Sequence, residues 1–156
     1  MNAEKNKSSF TRLALMARAK DDINLISALI QDSAIKTKNI RWIKKRHRFS
    51  LLMSRFRWEL MTDKKMTVLP FSRVQSMLVF DGVLKVSSKG LQYALNNEVL
   101  SLLSLSFTSY ENYDDLELIF SDDVSIKLYL EFVHVLLQDF EPLVAGGKAT
   151  VPTHDI

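Results

Sequence analysis

Cysteine is absent from the 156 residues, so disulfides, thiolate zinc sites and cysteine nucleophiles are excluded. Glycine occurs four times, too rarely for a backbone cradle around a nucleotide phosphate. Histidine occurs three times, at His47, His134 and His154, scattered too widely for a recognisable metal set. No Gly-x-Ser-x-Gly elbow, His-Glu-x-x-His or phosphate-loop pattern is present. No apolar run reaches the roughly 20 residues of a membrane-spanning helix. The apolar stretch Leu13–Ala17, flanked by Arg12 and Arg18, is too short for a signal-peptide core, and the expected location is the cytoplasm.

What is present is a globular mixture, 47% hydrophobic and 25% charged, with enough chain for one core. The expected organisation is a tail over 1–9, one domain over 10–143 and a second tail over 144–156. The formal charge of +3 hides a strong asymmetry: residues 1–90 carry +12 and residues 91–156 carry −9. Such a split fits an anionic partner, or two halves that neutralise each other within one domain.

Periodicity gives the elements. Ile23, Ile26 and Ile30, widened by Leu25 and Leu29, predict a helix over about 22–32, with Asp21 or Asp22 as its cap. Strand alternation follows in two runs, Ile40 and Trp42, then Phe49, Leu51 and Met53, with Lys44–Arg48 between them as the turn of a hairpin. Phe56 and Trp58 fall out of phase with Met53, which predicts a bulge near Ser54-Arg55. Asp63-Lys64-Lys65 reads as a turn, and Pro70 sits ahead of the next strand. Asp81-Gly82 between two apolar runs predicts a second hairpin. Three further strands alternate around Leu103–Phe107, Leu116–Phe120 and Val124–Leu128. Leu130, Val133, Leu137 and Phe140 are spaced as in a helix, although the residue types favour a strand. The expected fold is α+β: a bent antiparallel sheet or partly open barrel of about seven strands with two helices, of pleckstrin-homology-like form.

The strongest functional signal is the stretch Lys36–Arg57, which holds nine cationic residues and no acid. Arg41, Lys44, Lys45, Arg46 and Arg48 are its candidates for binding an anionic partner, with Trp42, Phe49 and Phe56 interleaved. Basic residues with aromatics can neutralise phosphates and stack on bases, so RNA is one reading. An anionic protein or lipid surface is another, and a solvated strand face is the third. The paired acids Asp21-Asp22, Asp114-Asp115 and Asp122-Asp123 all fall at predicted turns or caps, where aspartate bonds to local backbone. No catalytic residue, metal or cofactor is assigned. A second cluster, Arg55, Arg57, Trp58 and Glu59, with Asp32, reads as a structural brace: an ion pair stacked on an indole.

Gln31-Asp32, Ser54-Arg55-Phe56-Arg57-Trp58-Glu59, Leu100-Ser101-Leu102-Leu103 and Asp139 together resemble an uncharacterised, mainly alphaproteobacterial family catalogued as a domain of unknown function. Its pattern has Asn where this chain has Ser54. The resemblance runs from about Leu13 to Phe140 and implies no activity. The function expected from the sequence is therefore a small non-catalytic binding or scaffold module, with RNA binding through the basic hairpin as the alternative.

Overall fold

Alternating side chains dominate the structure, a computed structural model that describes residues 12–62, 73–91 and 98–142. The expected tails over 1–9 and 144–156, the turn at 63–65, Pro70 and His154 lie outside the described residues. Among the described residues there are ten strands: β1 (Ala14–Ala17), β2 (Ser33–Lys36), β3 (Ile40–Ile43), β4 (Arg48–Phe56), β5 (Arg73–Asp81), β6 (Val83–Lys89), β7 (Val99–Ser109), β8 (Asp114–Phe120), β9 (Ser125–Leu130) and β10 (Val135–Pro142). The α-helix among the described residues is α1 (Lys20–Leu29), and short 3-10 turns cover Thr37–Asn39, Lys44–Arg46 and Trp58–Thr62. All pairings are antiparallel, in the order β1-β10-β5-β4-β2-β7-β8-β9-β6, with β3 on the flank of β4.

The expected seven strands and two helices are therefore corrected to ten strands and one α-helix among the described residues. The pleckstrin-homology-like arrangement fails with them, because the segment meant to close the barrel as a helix is β10, paired on both edges. Val135, Leu137 and Asp139 alternate inward along it. The helical spacing of Leu130, Val133 and Leu137 arises across the β9–β10 connection, where two strands join.

Two chain corners divide the sheet. Asp81-Gly82 carries β5 into β6, and the strands do not pair with each other as a hairpin. Gly82 has φ +75°, and a β-carbon there would lie 2.7 Å from the Phe132 ring, so this glycine serves a corner. The neighbouring corner, β9 to β10, is fastened to it by Asp81 N to His134 O (3.0 Å) and Glu131 N to Gly82 O (2.8 Å). The turn at Asp122-Asp123 is a tight hairpin with positive φ at both residues, 62° and 61°.

The inward faces converge on one core. Phe49, Leu51, Leu78, Phe80 and Leu137 come from one side of the corners, and Ile35, Leu102, Leu116, Leu118, Ile126 and Leu128 from the other. Ile23, Ile26 and Ile30 are buried in the same core, while Leu25 is 52% exposed and lies off the apolar stripe. β2 covers the edge of β7 only as far as Leu102. Beyond it the helix takes over: Ser27 Oγ accepts from Leu105 N at 2.9 Å. A register shift at Leu103 turns that side chain outward and returns Leu105 to the core. The acids of the first helical turn, Asp21 and Asp22, favour the helix dipole, but the N-cap is Ala19 with no side-chain bond.

Candidate binding surface and the buried arginine

The alternation of β4 does not break. Its register with β5 runs without a shift from Arg48↔Asp81 to Phe56↔Arg73, so the bulge expected near Ser54-Arg55 is absent. Phe49, Leu51, Met53 and Arg55 all point inward, and Arg55 is 0% exposed. The apparent phase change came from treating an arginine as an outward residue. Phe56 is the outward one, ringed by Trp58 at 5.3 Å and the Arg73 guanidinium at 3.9 Å.

A guanidinium has five N–H donors in a fixed fork, and burial makes each one left unbonded costly. Here every one is used. Nε donates to Asp139 Oδ1 (3.0 Å) and Nη2 to Asp139 Oδ2 (3.0 Å). Nη1 and Nη2 donate to the two oxygens of Glu59 at 2.9 and 2.8 Å, and Nη1 also reaches Phe56 O at 3.0 Å. Asp139 is saturated in turn by Ser76 Oγ (2.6 Å) and Leu13 N (2.9 Å). A register shift lies beside it instead, on the partner strand: β10 slips by one residue against β5 between Asp139 and Glu141.

Burial alone would lower the Arg55 guanidinium, but the bonds to Glu59 and Asp139 outweigh it and hold its pKa above the ordinary value. Burial would likewise raise Asp139 and Glu59. Arg55 reverses this in both, aided at Asp139 by Ser76 and the Leu13 amide, and both carboxyls sit below their usual range. Each group is held in its charged form, Arg55 and Asp139 fully buried and Glu59 partly open to solvent.

The residues that carry the family resemblance meet around this cluster. Trp58 Nε1 donates to Gln31 O at 2.9 Å, and Asp32 N, from a left-handed residue with φ 63°, donates to Leu102 O at 2.9 Å. Asp139 and Glu59 hold Arg55, as described. Trp58 is half-buried, Arg57 is buried, and Asp32 is half-buried near Arg73. The motif thus ties the end of α1, β2, β4, β7 and β10 together. Ser76 and the Leu13 amide escaped the sequence reading, because neither has a sequence signal until the register of β5, β10 and β1 is known.

The basic hairpin is β3 and β4, paired from Ile40↔Leu51 to Ile43↔Arg48. Arg41, Lys44, Lys45, Arg46 and Arg48 are all exposed. Arg48 Nε bonds Asp81 Oδ1 at 2.8 Å, and Asp81 Oδ2 lies 3.4 Å from His134 Nδ1. The tip is fastened at His47, a left-handed residue with φ 51°. Its carbonyl accepts from Val83 N at 2.9 Å and its Nδ1 lies 3.1 Å from Val83 O. Two of the three aromatics face the other way, Phe49 at 2% exposed and Trp42 packed on the core, while Phe56 points outward, half-buried against Trp58 and Arg73. The acidic segment is engaged locally, as Asp115 pairs with Lys127 at 3.7 Å and keeps that ammonium's pKa above its ordinary value.

Among the described residues no group of three or more histidine and acidic side chains is placed to hold a metal. Nor, among them, is any helix long and apolar enough to cross a membrane. No curated protein and no solved structure matches the chain. A family model does match, over residues 13–154, and the chain belongs to that family, the protein of unknown function family DUF2948.

Proposed function

We propose that the protein is a non-catalytic binding module of the cytoplasm whose contact surface is the tip of the β3–β4 hairpin and whose partner is an anionic protein surface. The observation that carries this reading is the exposure of Lys44, Lys45 and Arg46 on a turn clamped by His47 to Val83, with Arg41 exposed on the strand that leads into it. A clamped turn displays its charges with little further loss of freedom on binding. The buried ionisable cluster supports a non-catalytic role, since Arg55, Asp139 and Glu59 spend their hydrogen bonds on one another.

RNA would use the same cations, but sequence-tolerant RNA binding also leans on exposed ring faces. Trp42 and Phe49 turn theirs toward the core, Phe56 points outward but packs against Trp58 and Arg73, and the outward neighbours of the cations are Ile43, Ser50 and Leu52. A pull-down from lysate with and without nuclease, at rising salt, tests the choice. Partners that survive nuclease, fall away with salt and are lost in the Lys44→Glu/Lys45→Glu/Arg46→Glu variant support the proposal. Partners lost with nuclease overturn it in favour of RNA. Partners unaffected by the variant overturn it outright.

A further inference from the structure

The end of the sheet that carries the hairpin tip also carries a row of exposed apolar side chains. Val83 N, bonded to His47 O at 2.9 Å, starts β6 beside the tip. Leu84 falls in the register shift between Val83 and Lys85, so Leu84 and Lys85 together oppose Tyr129 of β9. The Lys85 ammonium lies 5.3 Å from the centre of the Tyr129 ring, and the Tyr113 ring, just ahead of β8, lies 5.7 Å from it. Tyr110 stacks on Tyr113 at 4.9 Å, and its amide donates to Tyr113 O at 2.9 Å, which fixes the two rings on the β7–β8 turn. Leu84 is 46% exposed, Tyr110 48% and Tyr113 38%. Adjacent exposed groups of this size mark a contact surface rather than scattered surface residues.

Charge is divided along the row. At its β6 end stand Lys44, Lys45 and Arg46. At its β8 end stand Glu111 and Asp114, the latter accepting from Ser109 Oγ at 2.9 Å, and Glu131, one residue past Leu130, adds a third acid. Val83, Leu130 and Asp114 are in register on β6, β9 and β8, so the two ends lie at least two strand spacings apart, about 10 Å. Cations at one end, acids at the other and rings between them make a surface complementary to itself. A two-fold axis near Tyr129 lays each copy's cations against the other's acids, so every contact is made twice. A different acidic partner would engage the tip and leave the tyrosines and acids of this row bare, whereas a second copy uses all three.

We propose that this end of the sheet is a two-fold interface between two copies of the chain, with Leu84, Tyr110 and Tyr113 at its centre and the charges at its rim. Resting on the tip as a contact surface, this names the anionic surface it meets: the turn 110–114 of a second copy. Sedimentation equilibrium of the whole chain, from micromolar to millimolar concentration, should show monomer and dimer alone, with dissociation favoured by salt. Tyr110→Ser/Tyr113→Ser should weaken the dimer about tenfold or more. Lys44→Glu/Lys45→Glu/Arg46→Glu and Glu111→Lys/Asp114→Lys should each be monomeric alone, and an equimolar mixture of the two should dimerise, since each then meets the opposite charge at both ends. If Asp114→Lys lowers the thermal midpoint, Glu111→Lys alone takes its place. The interface is overturned by a chain that stays monomeric at millimolar concentration, by species larger than a dimer, by association indifferent to the tyrosine variant, or by a mixture that stays monomeric. The nuclease pull-down tests the tip separately: lysate partners lost with the tip variant keep it as a contact surface even where the chain alone is monomeric.

Discussion

Arg55 shows how far one side chain can decide a local structure. Removing it leaves Asp139 charged, buried and short of two bonds. Arg55→Met should therefore destabilise by about 3–5 kcal/mol, the usual cost of breaking a buried pair from one side. Arg55→Lys should fall in the same direction, because an ammonium cannot reproduce the fork that grips both carboxylates. The double variant Arg55→Met/Asp139→Leu should recover only part of the loss, because Ser76 and the Leu13 amide lose their acceptor and Glu59 loses Arg55, and a urea double-mutant cycle measures the difference. The pH dependence has a definite sign. Asp139 and Glu59 are held below their ordinary range, so near pH 4 the folded chain binds fewer protons than the unfolded one. Their stabilisation is complete above about pH 5 and is lost as pH falls through the depressed values. Denaturant midpoints of wild type should fall more steeply below about pH 4 than those of the Arg55→Met/Asp139→Leu variant, which lacks the pair.

At the scale of elements, success and failure of the sequence reading have one cause. Strands whose inward residues are all apolar, β8 with Leu116, Leu118 and Phe120 and β9 with Ile126 and Leu128, were plain from alternation. So was α1, where Ile26 is 1% exposed; Ile26→Ala should cost about 2–5 kcal/mol, read as a lower midpoint in urea. Strands with a charged inward residue were misread. Arg55 made an unbroken β4 look bulged. Asp139 likewise interrupted the alternation of β10, and the i, i+3, i+7 pattern left behind suggested a helix. Asp81-Gly82 was recognised as a reversal, but whether a tight turn makes a hairpin or a corner depends on which partner strands arrive from elsewhere. Gly82→Ala should destabilise through its positive φ and the close Phe132 ring, and Phe132→Ala should restore part of the thermal midpoint by removing the clash while leaving the strained φ.

For the molecule as a whole, the charge split was visible in the sequence and its fate was not. Arg55–Asp139 joins a cation of the basic half to an acid of the acidic half, but Arg48–Asp81, Arg55–Glu59 and Lys127–Asp115 each stay within one half. The hairpin cations therefore remain at the surface, and the Lys44→Glu/Lys45→Glu/Arg46→Glu variant should shift stability by only about 0–1 kcal/mol. A thermal melt of that variant separates a binding defect from a folding defect.

The strand order also constrains how the chain is made. β10 lies between β1 and β5, so a segment emerging late from the ribosome must slide between two that emerged long before. Until Asp139 arrives, Arg55 has Glu59 but no carboxylate across the sheet, and collapse of the earlier strands would bury its Nε–H and one Nη2–H without their acceptor. Closure around the arginine is thus completed only by a residue 84 positions downstream. Long loops closed this late fold slowly. A chain stopped after Leu130, lacking both β10 and Asp139, should be more sensitive to protease than the full chain, which makes Asp139 a late stitch in the making of the chain as well as in the sheet.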